Sequence, residues 1–121
     1  MSKYENLFIY RKSMELTVFI EQIVAHFSQY HKYTIGSKLR DLTYSTTIMI
    51  IKINNRPKAE RKELLHDLRE TIEEIKVCLN IAKELKAFNN INSYFHASKL
   101  AVDISRQSEG WLKHTFAPES Q

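Results

Sequence analysis

The stretch LLHDLRETIEEIKVCLNIAKEL, residues 64–85, decides the fold. Apolar residues recur along it at alternating steps of three and four, namely Leu65, Leu68, Ile72, Ile75, Leu79 and Ala82. This spacing is typical of an amphipathic helix that buries one face. Beside that face four cations recur every seven residues: Lys62, Arg69, Lys76 and Lys83. The third predicted helix therefore combines a core seam with a cationic flank.

Three further segments carry a similar pattern and are separated by short polar breaks. Helices are expected over about residues 7–28, 34–54, 58–86 and 93–114. Thr34 and Ser93 are the expected N-caps, and Pro57 suits the first turn of the third helix because a proline there loses no helical hydrogen bond. Short connections between helices of similar length favour antiparallel neighbours. The sequence thus predicts an all-α, up-down-up-down four-helix bundle that forms one domain over residues 1–121.

The composition limits the class and the location of the protein. In a chain of 121 residues, two Gly and two Pro leave little material for the turns of a sheet. Cys78 is the only cysteine and lies beside the seam, so we expect a buried hydrophobe in a reducing compartment. Residues 1–6 lack the apolar core of a signal peptide, and the longest aliphatic run is far shorter than the roughly 20 residues that cross a bilayer. A cytoplasmic protein without membrane contact is expected.

Candidate catalytic and metal-binding residues are few. Glu63 and His66 have the Glu-x-x-His spacing of di-iron bundles, but those sites need a second such pair, which the chain lacks. The inward seam also leaves Glu63 toward solvent. Glu70, Glu73 and Glu74 are expected to form helix-stabilising ion pairs on a solvated face. We therefore predict no catalytic residue, no metal site, no cofactor and no enzymatic activity, with an iron-carboxylate enzyme as a rival interpretation.

The charge distribution favours a polyanion-binding surface. Residues 1–62 hold eleven of the 18 Lys and Arg residues but five of the 14 carboxylates. Candidate phosphate contacts lie on the second helix, the loop after it and the third helix: Lys38, Arg40, Lys52, Arg56, Lys58, Arg61, Lys62, Arg69, Lys76 and Lys83. Aromatic residues do not alternate with these cations, so sequence-independent phosphate contact is expected rather than base stacking. The alternative is that the cations are solvated and pair with carboxylates.

Surplus apolar residues predict self-association. Tyr44, Ile48 and Ile51 lie on the side of the second helix away from its seam, and Val77 and Ile81 do the same on the third. Two such stripes on consecutive helices indicate a subunit contact. The alternative is a splayed bundle in which each helix buries a wider arc.

Trp111 ends the seam of the fourth helix, so we expect it in the core rather than on a partner-binding surface. Gly110 is expected to adjust the backbone beside it.

Three segments resemble a known family: KYTIGSKLRDL at residues 32–42, VCLNIAKELK at 77–86, and SKL at 98–100 continuing to GWLK at 110–113. They are similar to accessory variability determinant (Avd) proteins of diversity-generating retroelements. Those proteins belong to a four-helix-bundle group that also includes proteins encoded in intervening sequences of 23S ribosomal RNA genes. The similarity spans about residues 7–115 in the same order. Two positions depart from it: Tyr30-His31 replaces an aromatic followed by proline, and Asn80 replaces an arginine.

The resemblance implies a specific function. Avd-like proteins form a homopentameric barrel, bind the reverse transcriptase of the element, and associate with its template RNA during mutagenic cDNA synthesis and retrohoming. They perform no chemistry themselves. The alternative within the same group is an oligomeric scaffold or protein-interaction module of the intervening-sequence type that does not bind RNA.

Overall fold

The computed structural model describes residues 7–115; residues 1–6, for which the sequence predicts no signal peptide, and residues 116–121 lie outside the described part. The elements in chain order are α1 (Phe8–Val24), α2 (Gln29–Lys32), α3 (Ile35–Asn54), a 3-10 turn (Lys58–Glu60), α4 (Lys62–Glu84) and α5 (Ile91–Thr115). The long helices α1, α3, α4 and α5 correspond to the four predicted ones.

The four long helices form a closed ring of antiparallel neighbours. α1 packs against α3 and α5, and α4 packs against the same two helices from the other side. Between α1 and α3, Ser13 contacts Thr47 and Glu21 contacts Arg40, so residue numbers rise in one helix as they fall in the other. Contacts from α4 to α5 run in the same opposed sense. The predicted antiparallel four-helix bundle is confirmed for residues 7–115.

One hydrophobic core lies between the helices. All six seam residues of α4, from Leu65 to Ala82, are at most 1% exposed. They face large aliphatic side chains of α1 and α3 and the small Ala97 and Ala101 of α5. Cys78 is buried as predicted, and burial raises the pKa of its thiol above the ordinary value. Trp111 is half-buried and packs against the edge of the core rather than inside it.

The predicted end of the first helix at Ser28 is wrong. α1 ends at Val24, and the Ser28 hydroxyl accepts a hydrogen bond from the His31 N–H at 3.4 Å at the start of α2. Serine favours such a cap because its oxygen replaces a missing helical partner. Thr34 precedes α3 as predicted, but its hydroxyl donates to the Tyr30 carbonyl at 2.8 Å and does not cap α3.

The third helix starts later than predicted. Pro57 precedes the 3-10 turn instead of entering a helix, and α4 begins at Lys62 rather than near residue 58. At its other end, Lys86 adopts a left-handed φ of 60°. The Lys86 and Ala87 N–H groups bond back to the Lys83 and Ala82 carbonyls, each at 2.9 Å. This pair of bonds is a Schellman cap, which ends the helix at Glu84.

The cap predicted at Ser93 lies instead at Asn90. The Asn90 side-chain oxygen accepts a hydrogen bond from the Asn92 N–H at 2.9 Å, and α5 starts at Ile91. Gly110 lies inside α5 with no positive φ, and an added Cβ there would meet nothing within 4 Å. The expectation that Gly110 adjusts the backbone beside Trp111 is therefore wrong.

The contact between α1 and α3 is close and partly polar. The Ser13 hydroxyl lies 2.6 Å from that of Thr47, and Thr17 reaches the Thr47 hydroxyl at 3.0 Å and the Thr43 carbonyl at 3.2 Å. Small side chains allow the helices to approach, and their hydroxyl groups satisfy one another once water is excluded. No helix in residues 7–115 combines the length and apolar character that crossing a bilayer requires.

Candidate nucleic-acid and assembly surfaces

Most of the predicted cationic stripe on α4 already contacts carboxylates. The Arg69 guanidinium lies 3.2 Å from Glu109 on α5, and the Lys76 ammonium lies 2.8 Å from Glu73 on its own helix. Lys83 is 3.9 Å from Glu84 and also stands over the Tyr94 ring. Exposed pairs of this kind are weak, but a phosphate must still compete with them. The α4 stripe is thus a poorer polyanion surface than its spacing indicates.

The cations of α3 do not share one surface. Arg40 faces α1, where its Nε donates to the Glu21 carboxylate at 3.1 Å. Lys38 and Lys52 are exposed and form no ion pair with any described residue. Lys38 and Lys52 share one face of α3 because a separation of 14 residues nearly completes four helical turns. Arg40 lies on a different face because its separation of two residues from Lys38 is more than half a turn. Lys38 and Lys52 therefore stay available to an anion, whereas Arg40 is partly neutralised.

Arg61 is committed to the structure of the loop between α3 and α4. Its Nε donates to the Arg56 carbonyl at 2.9 Å, and Nη2 donates to the Asn54 carbonyl at 3.2 Å at the end of α3. The guanidinium also stands 5.9 Å from the centroid of the Trp111 ring on α5. Within residues 7–115, the neighbouring Arg56, Lys58 and Lys62 are exposed and have no carboxylate partner. These three cations can accept a phosphate without breaking an ion pair.

The antiparallel topology brings further cations to the same end of the bundle. This end, here called the cationic end, consists of residues 8–12, 52–63 and 106–114. It carries nine basic residues, Arg11, Lys12, Lys52, Arg56, Lys58, Arg61, Lys62, Arg106 and Lys113, against three acidic ones, Glu60, Glu63 and Glu109. Four of the nine, from α1 and α5, were missed from the sequence. The signal for them was the predicted topology, which places the start of the first helix beside the end of the last.

The predicted apolar stripe of α3 lines a groove against α1. Tyr44 and Ile48 are about half exposed and share a concavity of about 390 Å³ with Met14 and Val18 of α1. Ile51, predicted to join them, is half-buried and does not line this concavity. Met14 and Val18 were missed, although their four-residue spacing off the core face of the first helix was a usable signal.

The second predicted stripe lies on a different helix. Val77 is 55% exposed and Ile81 43%, and Leu85 extends the stripe by one more turn. Val77 and Ile81 lie on α4, and Leu85 follows its last residue. All three are on the side away from the buried seam, and none of them lines the groove between α1 and α3. The five predicted interface residues therefore divide between two surfaces, which the sequence could not separate.

A polar cluster closes one end of the α1–α3 groove. The Tyr44 hydroxyl donates to Glu21 at 2.5 Å, and Arg40 contacts the same carboxylate. The hydrogen bond from Tyr44 is the largest cause that holds the pKa of Glu21 below its ordinary value, and Arg40 adds to it against the opposing effect of burial. The same bond raises the pKa of the Tyr44 phenol. This cluster fixes the orientation of Tyr44 at the rim of the groove.

The described residues offer no assembled metal site. Glu63 and His66 both lie exposed on α4, and within residues 7–115 no group of three or more His, Cys, Asp and Glu residues could hold a metal ion. A concavity of about 510 Å³ is lined by His66, Arg69 and several glutamates of α4, with Ser105 opposite. Its glutamates lie on the open helix surface.

No known protein-family model matches the chain, and no curated protein is similar to it at a significant level. A function must therefore be inferred from the fold, the surface chemistry and the motifs of residues 32–42, 77–86 and 98–113.

Proposed function

We propose that this protein is a non-enzymatic, oligomeric accessory protein that binds RNA and a reverse transcriptase in the cytoplasm. This is the role that the resemblance to Avd proteins of diversity-generating retroelements implies, and the helical bundle is compatible with it. The protein would hold the template RNA beside the polymerase during mutagenic cDNA synthesis and would need no cofactor of its own.

The cationic end is the observation that carries the proposal. Nine basic against three acidic residues converge there from three separate parts of the chain. A polyanion that covers them releases its condensed counterions, which supplies most of the affinity in sequence-independent binding. Arg56, Lys58 and Lys62 make no ion pair within the described residues, so RNA binding there breaks no existing contact. RNA would therefore bind this end more strongly than it binds Arg69, Lys76 and Lys83 of the α4 stripe.

Self-association is supported by the two apolar surfaces. The α1–α3 groove and the exposed stripe of α4 lie on different faces, so a second copy could use one to cover the other. Such head-to-tail contacts close into rings when the rotation between copies permits. A ring agrees with the homopentamer that the resemblance implies.

The assembly part is tested with single substitutions on each surface. Ile48→Glu and Ile81→Glu each place a charge in a contact that loses water, so either one should dissociate the oligomer while helical content stays unchanged. Val102→Glu on α5, which lies on neither surface, is the matched control. If light scattering shows that the wild-type protein is already monomeric, the proposed assembly is refuted.

Partner binding is tested by capture. The tagged protein, isolated from its native cells, should retain a reverse transcriptase and an RNA that ribonuclease treatment removes. Arg56→Gln, Lys58→Gln and Lys62→Gln combined should lose the RNA. Capture of neither partner under conditions that keep the oligomer intact would refute the proposal.

An oligomeric scaffold without RNA binding is the second candidate. One observation favours it: Arg69 on α4 pairs with Glu109 on α5, as expected if basic residues serve interhelical contacts. Lys76 and Lys83 pair within their own helix and carry no such weight. A wild-type oligomer that binds no RNA even at low salt would decide for the scaffold.

A further inference from the structure

A small concavity at the cationic end combines aromatic and basic side chains. It has a volume of about 260 Å³ and lies between the start of α1 and the end of α5. Phe8 lines it from α1, and Trp111, Arg106 and His114 line it from α5. Pockets that hold drug-sized ligands have volumes of about 300–1,000 Å³, so this smaller concavity suits a single planar group better than a larger ligand. We call it the Trp111 concavity.

Gly110 keeps the Trp111 concavity open. It is a lining residue, and a Cβ built at this position would meet no atom within 4 Å. The backbone is ordinary helix without positive φ, so conformation does not require glycine here. A glycine in an exposed helix interior costs about 0.5–1 kcal/mol relative to alanine. An absent side chain beside an aromatic ring leaves space for a flat ligand.

The aromatic rings keep accessible parts. Trp111 is half-buried and lines the concavity, whereas Arg61, which stands over its ring, does not line it. Phe8 is 43% exposed, with the Lys12 ammonium 5.5 Å and the Arg11 guanidinium 5.9 Å from its ring centroid. Each ring is thus bordered by positive charge. Apolar peptide side chains gain nothing from that charge, whereas a nucleotide does.

A second concavity of about 460 Å³ adjoins the first and shares Arg106 and Gly110 with it. Lys113 and Glu109 complete its lining, and Glu109 pairs with Arg69, which offsets its negative charge. Two cations therefore stand beside the aromatic site. Proteins that hold single strands combine aromatic rings and basic side chains in this way.

We propose that the Trp111 concavity binds an unpaired base of single-stranded RNA, with the adjoining phosphate on Arg106 and Lys113. The inference rests on the proposed RNA binding and adds base stacking to it. Proteins that hold single strands combine a basic groove with aromatic rings, and stacking tolerates any base because every base has a π face. Duplex RNA keeps its bases stacked inside the helix and cannot fill the concavity. Phe8 and Trp111 are far apart in sequence, which is why the sequence indicated phosphate contact alone.

The single tryptophan of the chain gives a direct assay. A dye-labelled 12-nucleotide uridine RNA is titrated into the protein, and its anisotropy and the Trp111 fluorescence are recorded together. Anisotropy reports RNA binding anywhere on the protein, whereas Trp111 emission reports a base beside that ring. We expect both signals to saturate at the same RNA concentration. A duplex of equal length and inorganic polyphosphate should raise no comparable fluorescence change.

Two variants test the concavity itself. Gly110→Leu fills it without changing any charge, and Phe8→Ala removes one ring. Each should weaken single-strand binding about tenfold or more, the order expected for the loss of one stacked base. Phe95→Ala, which removes an exposed ring at the other end of α5, and Val102→Leu, which enlarges a side chain on the α5 surface, are the matched controls. Neither residue lines the concavity, so both variants should keep the wild-type affinity.

The outcomes separate the two proposals. Normal anisotropy with unchanged Trp111 emission and full affinity of both variants would overturn the base site and leave RNA binding intact. Equal fluorescence changes with polyphosphate or duplex would overturn base recognition in favour of phosphate contact alone. No binding by either signal would overturn the base site and the proposed RNA binding together.

Discussion

We expect replacement by alanine to change the stability in opposite directions at Gly36 and Gly110. At Gly36, on the first turn of α3, a Cβ would lie 2.7 Å from Cγ1 of Val24 and 2.9 Å from the backbone oxygen of His31. Val24 is 1% exposed and cannot swing away, and the oxygen belongs to α2. The corner where α2 meets α3 must therefore open when alanine replaces this glycine.

The magnitude follows from those distances. Carbon atoms pack best at about 3.5–4.0 Å, so the contact with Val24 must lengthen by roughly 1 Å. Overpacking costs about 1–3 kcal/mol, and the upper part of this range, about 2–3 kcal/mol, applies here because one of the two close atoms is a backbone oxygen. The helix preference for alanine over glycine offsets about 1 kcal/mol of it. We expect Gly36→Ala to destabilise the protein by about 1–2 kcal/mol. Gly110→Ala meets no atom within 4 Å and should stabilise it by about 0.5–1 kcal/mol.

Thermal and urea unfolding followed by circular dichroism at equal protein concentration measures both changes. At about 4 °C per kcal/mol for a chain of this size, the melting temperature should fall by about 4–8 °C for Gly36→Ala and rise by about 2–4 °C for Gly110→Ala. An unchanged or higher melting temperature for Gly36→Ala would refute the close approach at the α2–α3 corner. A lower one for Gly110→Ala would refute the open space beside Trp111.

Three further predictions concern local interactions. Lys86→Gly should raise stability by about 0.5–1 kcal/mol in urea unfolding, because Lys86 holds a left-handed φ of 60° that glycine adopts without strain; a loss of stability would contradict this. Thr47→Val should lower the free energy of unfolding by about 1–2 kcal/mol, because it removes the partner of the buried Ser13 hydroxyl. The double variant with Ser13→Ala should lose less stability than the sum of the two single variants, whereas additive losses would show that the two hydroxyls are uncoupled. Tyr44→Phe should move the pKa of Glu21 up toward its ordinary value, measured by carboxyl-carbon NMR titration. The folded-state pKa of Glu21 is lowered, so its contribution to stability is present above the unfolded-state pKa and is lost as pH falls through the folded-state pKa. The variant has less of this contribution to lose, and its stability should therefore depend less on acid pH. Identical titration curves for the wild type and the variant would refute the hydrogen bond.

The bundle could be predicted because its pattern repeats over many residues. Leu65, Ile72 and Leu79 mark the seam of α4 in three successive heptads. One residue that departs from a pattern repeated so often does not change the assignment of the helix. The ends were harder because neighbouring residues compete for the same cap. Ser28 was assigned to the first helix but caps the next turn, and Asn90 caps α5 in place of Ser93.

The surfaces could be predicted only in part. Sequence spacing found the cations and the apolar stripes, but it could not tell which cations would meet carboxylates: Arg69 is 40 residues from Glu109 and Arg40 is 19 from Glu21. Sequence spacing also does not show which residues from the two ends of the chain lie side by side. The Trp111 concavity exists because the antiparallel bundle places Phe8 of α1 beside α5.

RNA binding at the cationic end is tested most directly by the salt dependence of affinity. Two triple variants are compared with the wild type, one with Arg56, Lys58 and Lys62 changed to Gln and one with Arg69, Lys76 and Lys83 changed to Gln. For single strands each phosphate contact contributes about 0.7 to the slope of log affinity against log salt. We expect the loop variant to flatten that slope by about 2 units and the α4 variant to change it little. Equal slopes for the wild type and the loop variant, with flattening in the α4 variant, would contradict RNA binding at the cationic end.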